Sequence, residues 1–422
     1  MMHDYTDETE SLADEIVSFA RWRTRLDPIP LGQARTAEEL AELTGQTITK
    51  DGIGGHAALD LFRDVLAPSC LSVDYTKYLS FVPAAPTEAA VLFDLVVGAF
   101  SIYGGSWMEG SGAAFAENEA LRWLLDLCAL DQSAGGVFVP GGTIGNLSAL
   151  VGARGASEVR LAEAGKTRPD RWAFLVSKTA HSSIPSAAAV MDADVIAVDT
   201  DQHRRLTGEA VAEALDQHGD RVAGVVATAG STNLGVVDDL ASVGAVCRER
   251  NVFFHVDAAY GGGALAAPSA RPEFNGIEHA DSVIIDPHKW LFAPFDCCAL
   301  LWRDPDQARA VHAQHAGYLA FLDAKGDWNP SDFAIHLTRR SRGLPFWFSL
   351  ATYGTAAYGE AVEVTLELAA EAGRRIEAAE HLNLVWDRQL SIVVFERVGW
   401  DAAQYQAWTC LLYTSPSPRD RG

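Results

Sequence analysis

The chain has 422 residues with 48% hydrophobic and 21% charged side chains, the make-up of a globular protein long enough for two or three domains. A formal net charge of −23 argues against nucleic acid or an anionic membrane as a partner, although an anionic cofactor needs only local donors. The six cysteines (Cys70, Cys128, Cys247, Cys297, Cys298, Cys410) show neither zinc spacing nor a disulfide framework, so no metal is expected. The start MMHDYTDETE lacks the basic and apolar regions of a signal peptide. No uncharged apolar run reaches the ~18 residues of a membrane span. The expectation is a cytoplasmic chain with reduced cysteines.

In chain order, Glu8 to Leu26 places Leu12, Ile16 and Phe19 on one helical face, and Asp27 to Pro30 breaks it. Ala116–Leu130 puts Leu121, Leu124, Leu125 and Cys128 in a helical stripe. From about Gly135 short apolar runs alternate with helical stretches. The spacing predicts strands over Trp172–Val176, Val195–Val198, Val222–Ala227, Val252–Val256 and Ser282–Ile285, with helices such as Asn146–Arg154 and Gly208–Gln217 between them. That alternation predicts an α/β fold with a mostly parallel central sheet covered by helices on both faces, and ligands in such sheets bind beyond the strands' carboxyl ends. After about Trp347 the chain reads as helical through roughly Ala379, then strand-like over Ser391–Glu396. The last stretch, CLLYTSPSPRDRG, fits no pattern and reads as a non-native tail.

Chemistry-bearing residues fall just after the predicted strands. Val139-Pro140-Gly141-Gly142-Thr143-Ile144-Gly145-Asn146 runs into a helix, so close backbone approach, free N–H groups and the Thr143 hydroxyl could take an anion. It is neither the Walker pattern nor the dinucleotide fingerprint, and alone it reads rather as a plain turn capping a structural helix. His181, in Lys178-Thr179-Ala180-His181-Ser182-Ser183, could stack on an aromatic cofactor and move protons, or be structural. Asp257, in His255-Val256-Asp257-Ala258-Ala259-Tyr260, is a carboxylate at a buried rim that needs a cation or a helix to cap. The protonated ring nitrogen of pyridoxal phosphate (PLP) is such a cation, and holding it charged makes PLP an electron sink. Lys289, in Asp286-Pro287-His288-Lys289-Trp290-Leu291, is flanked by apolar groups whose desolvation would depress the amine and free it to attack an aldehyde. Taken in order, these four elements supply every contact PLP needs.

The motifs GGTIGNLSAL, AHSS, HVDAAY and DPHKWL followed by DCCALLW resemble the group II PLP-dependent amino-acid decarboxylases from roughly Thr87 to Trp400. The resemblance implies PLP fold type I, as in aspartate aminotransferase, with an N-terminal helical segment (1–85), a large PLP-binding domain (86–350), a partial small domain (351–409) and a tail (410–422). It implies Lys289 as the Schiff-base lysine, Asp257 on the pyridinium, His181 stacked on the ring with Ala259 on its other face, and Gly142, Thr143 and His288 on the phosphate. Thr232 would lie near the ring oxygen or the substrate carboxylate. The implied protein is an obligate homodimer with its site at the interface and its N-terminal helix on the partner. It would turn an L-amino acid into its amine and carbon dioxide. The aromatics of Ile102–Trp107 and Phe346–Phe348 point weakly to a bulky or aromatic substrate, and core packing explains them equally well.

Three departures from the family pattern stand out. Relatives carry a catalytic Tyr before an Arg-Arg-x-Arg stretch, here Arg339-Arg340-Ser341-Arg342, yet no Tyr lies between Tyr318 and Arg339. Phe321, Trp328 and Phe333 are the aromatics there, Phe333 falling closest, and relatives with Phe can divert to aldehyde formation. An aldehyde synthase and an inactive PLP-fold fragment are therefore the alternative readings. Asp286 sits where the phosphate should lie and is expected to point away or bond elsewhere. Relatives also continue beyond the point where this pattern stops, which predicts exposed apolar surface and aggregation.

Overall fold

A computed structural model describes residues 4–76, 78, 81–82, 85–314 and 328–414, with backbone only for 409–414. The chain forms two compact units, Met1–Pro83 with Arg397–Gly422, and Ala84–Glu396. In the first, α1 (Asp7–Arg23), α2 (Ala37–Thr44) and α3 (Gly55–Leu61) are short helices. Thr6 caps α1 by accepting from the Thr9 amide, and Thr36 with Glu39 forms a reciprocal capping box on α2. Both caps satisfy N–H groups that a helix start leaves without partners.

The second unit is built on seven strands: β1 (Gly135–Val139), β2 (Ala173–Ser177), β3 (Asp194–Val198), β4 (Val222–Thr228), β5 (Phe253–Asp257), β6 (Ser282–Ile285) and β7 (Cys298–Trp302). Their order across the sheet is β1-β7-β6-β5-β4-β2-β3. All neighbours are parallel except β7, which runs antiparallel to both β1 and β6. Because β7 reverses direction between them, β1 points the same way as the parallel strands. The carboxyl ends of β1, β2, β4, β5 and β6 therefore share one edge.

The helices of this unit are α4 (Glu88–Phe100), α5 (Trp107–Leu127), α6 (Gly142–Glu163), α7 (Ser183–Val190), α8 (Gly208–His218), α9 (Leu240–Glu249), α10 (Pro287–Trp290), α11 (Pro305–His312) and α12 (Leu344–Glu377). Most strand positions are buried on both faces, as sheets sandwiched by helices require. Val139, Leu150, Phe174, Val226, Ile284 and Trp302 meet in one core cluster between β-sheet and helix. Gly152 permits this contact, because a Cβ there would sit 2.6 Å from the Trp302 ring.

The predicted α/β architecture with a mostly parallel sheet is the one observed, with the five predicted strands shifted by at most a residue or two. Two strands of this sheet, β1 and β7, were not anticipated, nor was the short strand Leu382–Leu384. At the C-terminal end, the expected 391–396 stretch is strand only from Phe395, in a strand that runs to Arg397. The chain instead spends Ser391 on the Tyr260 hydroxyl, which accepts from the Ser391 amide at 3.0 Å. No helix among the described residues is long and apolar enough to cross a membrane.

Candidate active site

The glycine-rich stretch lies where β1 turns into α6. Gly141 takes φ of 80°, a left-handed value that favours glycine, and α6 then begins at Gly142 with no side-chain cap. Its first N–H groups thus point out of the helix start, a ready anion cradle. A Cβ built on Gly142 would lie 3.1 Å from Asp286 Oδ2 and 3.5 Å from the Ala259 methyl. The segments after β1, β5 and β6 therefore converge on this one glycine.

Lys289 lies on the single turn α10, directly after β6. Its Nζ stands 2.9 Å from Asp286 Oδ2, and His288 Nε2 is 3.8 Å from the same oxygen. Asp286 is buried, and its other oxygen, Oδ1, has no hydrogen-bond partner among the described residues. His288 directs Nδ1 to the Cys297 carbonyl at 2.6 Å, which fixes its ring and leaves Nε2 facing Asp286. Trp290 stacks on Tyr260 with centroids 5.1 Å apart and donates to Thr365 Oγ1, so the turn carrying Lys289 is clamped from its far side.

One expectation is corrected here. Burial does oppose the charge on Lys289, but the Asp286 carboxylate and its hydrogen bond, with help from Asp257 and Cys298, outweigh it. The ammonium is held above its ordinary value rather than depressed. Of the two courses expected for Asp286, pointing away or bonding elsewhere, the second is seen: it faces Lys289 while lying against Gly142. The reason is local, since an i,i+3 spacing on one helical turn brings the two side chains together.

Asp257, at the end of β5, is buried and accepts from the Ala259 amide (3.1 Å) and from Asn146 Nδ2 (2.9 Å). Asn146 is a hub that sequence reasoning passed over. Its Nδ2 also donates to Ser183 Oγ at 2.9 Å, and its carbonyl oxygen lies 2.8 Å from His255 Nε2. With Nε2 as the donor to Asn146, His255 Nδ1 accepts from Ser282 Oγ at 2.8 Å. Burial pushes His255 down to about 4, against the pull of Asp257, so the ring is neutral. The signal for Asn146 was present: it sits one turn into the helix that the glycines open, facing the next strand ends.

His181 is exposed on the turn after β2, and its Nδ1 accepts the Ser183 amide at 3.2 Å. With Nδ1 accepting, Nε2 is the ring nitrogen that carries a proton, and Ser183 links the ring through Asn146 to Asp257. Ala259 is buried beside Gly142, whereas Thr143 is exposed on the first turn of α6. Thr232, exposed on the loop after β4, lies outside this chain of contacts. Phe333 is fully buried, stacked on Trp328 at 3.9 Å, with its carbonyl accepting from Trp302 Nε1. Its ring is thus a core element, not a site side chain. Tyr318 and Phe321 lie outside the described residues.

The arrangement fits a pyridine cofactor bearing an aldehyde and a phosphate. An amine, an anion cradle and a buried carboxylate stand at one sheet edge, each held by backbone or side-chain contacts. Known proteins agree. Residues 56–398 match the family described as the pyridoxal-dependent decarboxylase conserved domain. An aromatic-L-amino-acid decarboxylase from Bacillus atrophaeus is 28% identical over 89% of this chain and 78% of its own. An L-2,4-diaminobutyrate decarboxylase from Rhizobium meliloti is 32% identical over 89% of this chain and 72% of its own. The crystal structure of Oryza sativa TDC with PLP and tryptamine superposes with a TM-score of 0.86 at 25% identity, covering 95% of this chain and 86% of that one.

The chain belongs to the pyridoxal-dependent decarboxylase family. It has the fold of PLP-dependent decarboxylases, uses PLP, and is a carboxy-lyase of amino-acid metabolism.

Proposed function

We propose that this chain removes the α-carboxylate of an L-amino acid through PLP held on Lys289, giving the amine and carbon dioxide. The observation that carries the reading is the convergence of Gly142, Ala259, Asp286 and Lys289, with Asp257 tied to the same cluster through Asn146. When bound, PLP supplies a sink for the electron pair left behind as the Cα–carboxylate bond breaks.

Each residue has a distinct task. Lys289 offers its amine to the cofactor's aldehyde carbon and returns to it after each turnover. Asp257 holds a proton on the ring nitrogen, and its own orientation is set by the Asn146 amide and the Ala259 amide. The N–H groups of Gly142 and Thr143, with the Thr143 hydroxyl and His288 Nε2, bind the phosphate. The His181 ring covers one face of the cofactor, with its Nε2 proton available to the reacting carbon, and Ala259 packs on the other face. Thr232 would lie near the ring oxygen or the substrate carboxylate. Lys289→Ala eliminates borohydride-trapped PLP on the peptide containing residue 289. Wild-type protein that traps no PLP there would sink this assignment.

The substrate side chain is bulky or aromatic in this reading, supported by the relatives named aromatic-L-amino-acid decarboxylases, including those of Mus musculus and Sus scrofa. A panel of amino acids read for carbon dioxide, amine and peroxide decides both substrate and product. Amine without aldehyde or peroxide supports decarboxylation, and aldehyde with peroxide overturns it. The relative named 4-hydroxyphenylacetaldehyde synthase from Rhodiola rosea, 26% identical over 84% of this chain, makes the peroxide arm worthwhile.

We further take the working form to be a cytoplasmic homodimer whose partner completes the site. None of the described residues between 4 and 76 is buried, although Leu12, Ile16, Phe19, Trp22 and Phe62 are apolar. In the larger unit, α4 and α5 also expose Leu95, Phe100, Met108 and Phe115. Apolar surface on this scale supports a covering subunit. Sedimentation at micromolar concentration checks it, and a monomer would overturn it. The division at 85, 350 and 409 is retained in the same sense. Non-helical Gly354, which breaks α12, supports a boundary near 350.

A further inference from the structure

Two carboxylates and one lysine meet at this sheet edge, and only one of the carboxylates, Asp257, has a task in the reading above. Asp286 is the other. It is 2% exposed, one of its oxygens is paired with Lys289 at 2.9 Å, and its second, Oδ1, has no partner among the described residues. Its Oδ2 lies 3.1 Å from where a Cβ on Gly142 would be, against the helix start that is to receive a phosphate. Two like charges in so dry a place repel far more than they would in water. The carboxylate is comfortable only while the Lys289 ammonium stands beside it.

We propose that Asp286 is the exchangeable charge of the site: a carboxylate while it pairs with the Lys289 ammonium, and a neutral acid, hydrogen-bonded to the phosphate, once PLP is seated. The inference rests on Lys289 being the residue that holds PLP. Attachment forms a C=N bond between Nζ and the aldehyde carbon. Two of the three ammonium protons leave with the aldehyde oxygen as water, and one stays on nitrogen. The nitrogen is drawn toward the cofactor just as the phosphate arrives at Gly142, so Asp286 takes one proton from solvent. That proton also gives the orphaned oxygen a hydrogen to donate.

Other groups facing Asp286 are limited in what they can absorb. His288, on the same turn, faces it with Nε2 at 3.8 Å and competes for the proton among the described side chains. Cys298 of β7, and Cys297 just before it, lie near enough to feel the Asp286 charge, but burial pushes both thiols well above their ordinary range, so they stay neutral. Asp257, from the end of β5, acts on Lys289 with the same sign as Asp286 and is already held by Asn146 and the Ala259 amide. From α6 the contact is the Gly142 backbone, which does not titrate.

The test is proton counting on the full chain. Cofactor-stripped wild type, Asp286→Asn and His288→Asn are titrated calorimetrically with PLP between pH 6.5 and 8.5, in buffers of different ionisation enthalpy. Wild type is expected to take up one proton more per PLP than Asp286→Asn. Its PLP affinity, relative to that variant, should fall about tenfold per pH unit across the range. Infrared difference spectra of wild type should also gain a protonated carboxyl band on loading, which needs no variant to fold. Equal proton counts in wild type and Asp286→Asn, with PLP bound to Lys289 in both, overturn this inference alone. So does loss of the extra proton in His288→Asn but not in Asp286→Asn. Wild type that binds no PLP on Lys289 overturns the reading beneath it as well.

Discussion

Asn146 is the residue on which the polar part of the site turns. Its amide reaches Ser183, Asp257 and His255 at once, so one side chain of α6 holds the end of β5 and the start of α7 together. Replacing it by Ala strands these buried partners, at about 1–3 kcal/mol for each unsatisfied group. Asn146→Ala is therefore expected to lower stability in urea and to weaken PLP binding at least tenfold, read by fluorescence titration. Unchanged affinity would show that Asp257 is oriented without it. Lys289, Asp257 and the Gly142 loop were legible in the sequence because strand-end positions and residue chemistry announce them. Asn146 was not, since it reads as an ordinary helix position until the distance to β5 is known. The setting of Lys289 was misjudged for a related reason. Flanking apolar residues announce desolvation, but the one-turn helix that aims Asp286 at the amine is not visible in a string of letters.

At the level of elements, the Arg-Arg-x-Arg stretch locks the chain after residue 328 onto the helices below the sheet. Arg339 pairs with Glu117 of α5 through two bonds of 2.8 and 2.9 Å and donates to the Gly104 carbonyl, all buried. Glu117 also accepts the Gly343 amide at the start of α12. Arg340 binds Asp94 of α4, and Arg342 binds Asp296. Removing the Arg339 guanidinium leaves a buried carboxylate uncompensated, so Arg339→Met is expected to cost about 3–5 kcal/mol in urea unfolding. The double variant with Glu117→Leu should cost less, because the charge is removed with its partner. Equal losses would show that packing of the arginine stem carries the effect. Strand recognition succeeded where β-branched runs were long and bounded. It failed for β1, which opens on Gly135-Gly136 and reads as loop. It failed for β7 because Cys-Ala-Leu-Leu-Trp over Cys298–Trp302 holds no β-branched residue.

For the whole molecule, acid is expected to be destabilising. Burial lowers His255 and His312 to about 4 and His336 to about 3, so the native chain keeps all three neutral. These folded values lie below the unfolded ones, so the stability each contributes is present above about 6.5 and is lost as pH falls toward 4. Asp238 opposes them. Burial raises it to about 7 against hydrogen bonds from the Thr228 and Leu206 amides, so its contribution is full below 3.8 and lost as pH rises through 7. The three histidines outweigh Asp238. His312→Gln should lessen the fall in unfolding free energy between pH 7 and pH 5 by on the order of 1–2 kcal/mol. An unchanged fall would mean that His312 titrates freely in the native state.

The position of β7 has a consequence for the order in which the protein is made. The anion cradle follows β1 and the lysine follows β6, and these two strands touch only through β7, which pairs with each. A growing chain that has already exposed Lys289 still lacks the strand that brings the cradle alongside it. Loading with PLP would therefore be a late step that certifies the sheet as closed. Stalled nascent chains ending before Cys298 should fail to trap PLP with borohydride, while chains extending well past Trp302 should trap it. Capture by the shorter chains would show that the cradle and the lysine find each other before the strand between them exists.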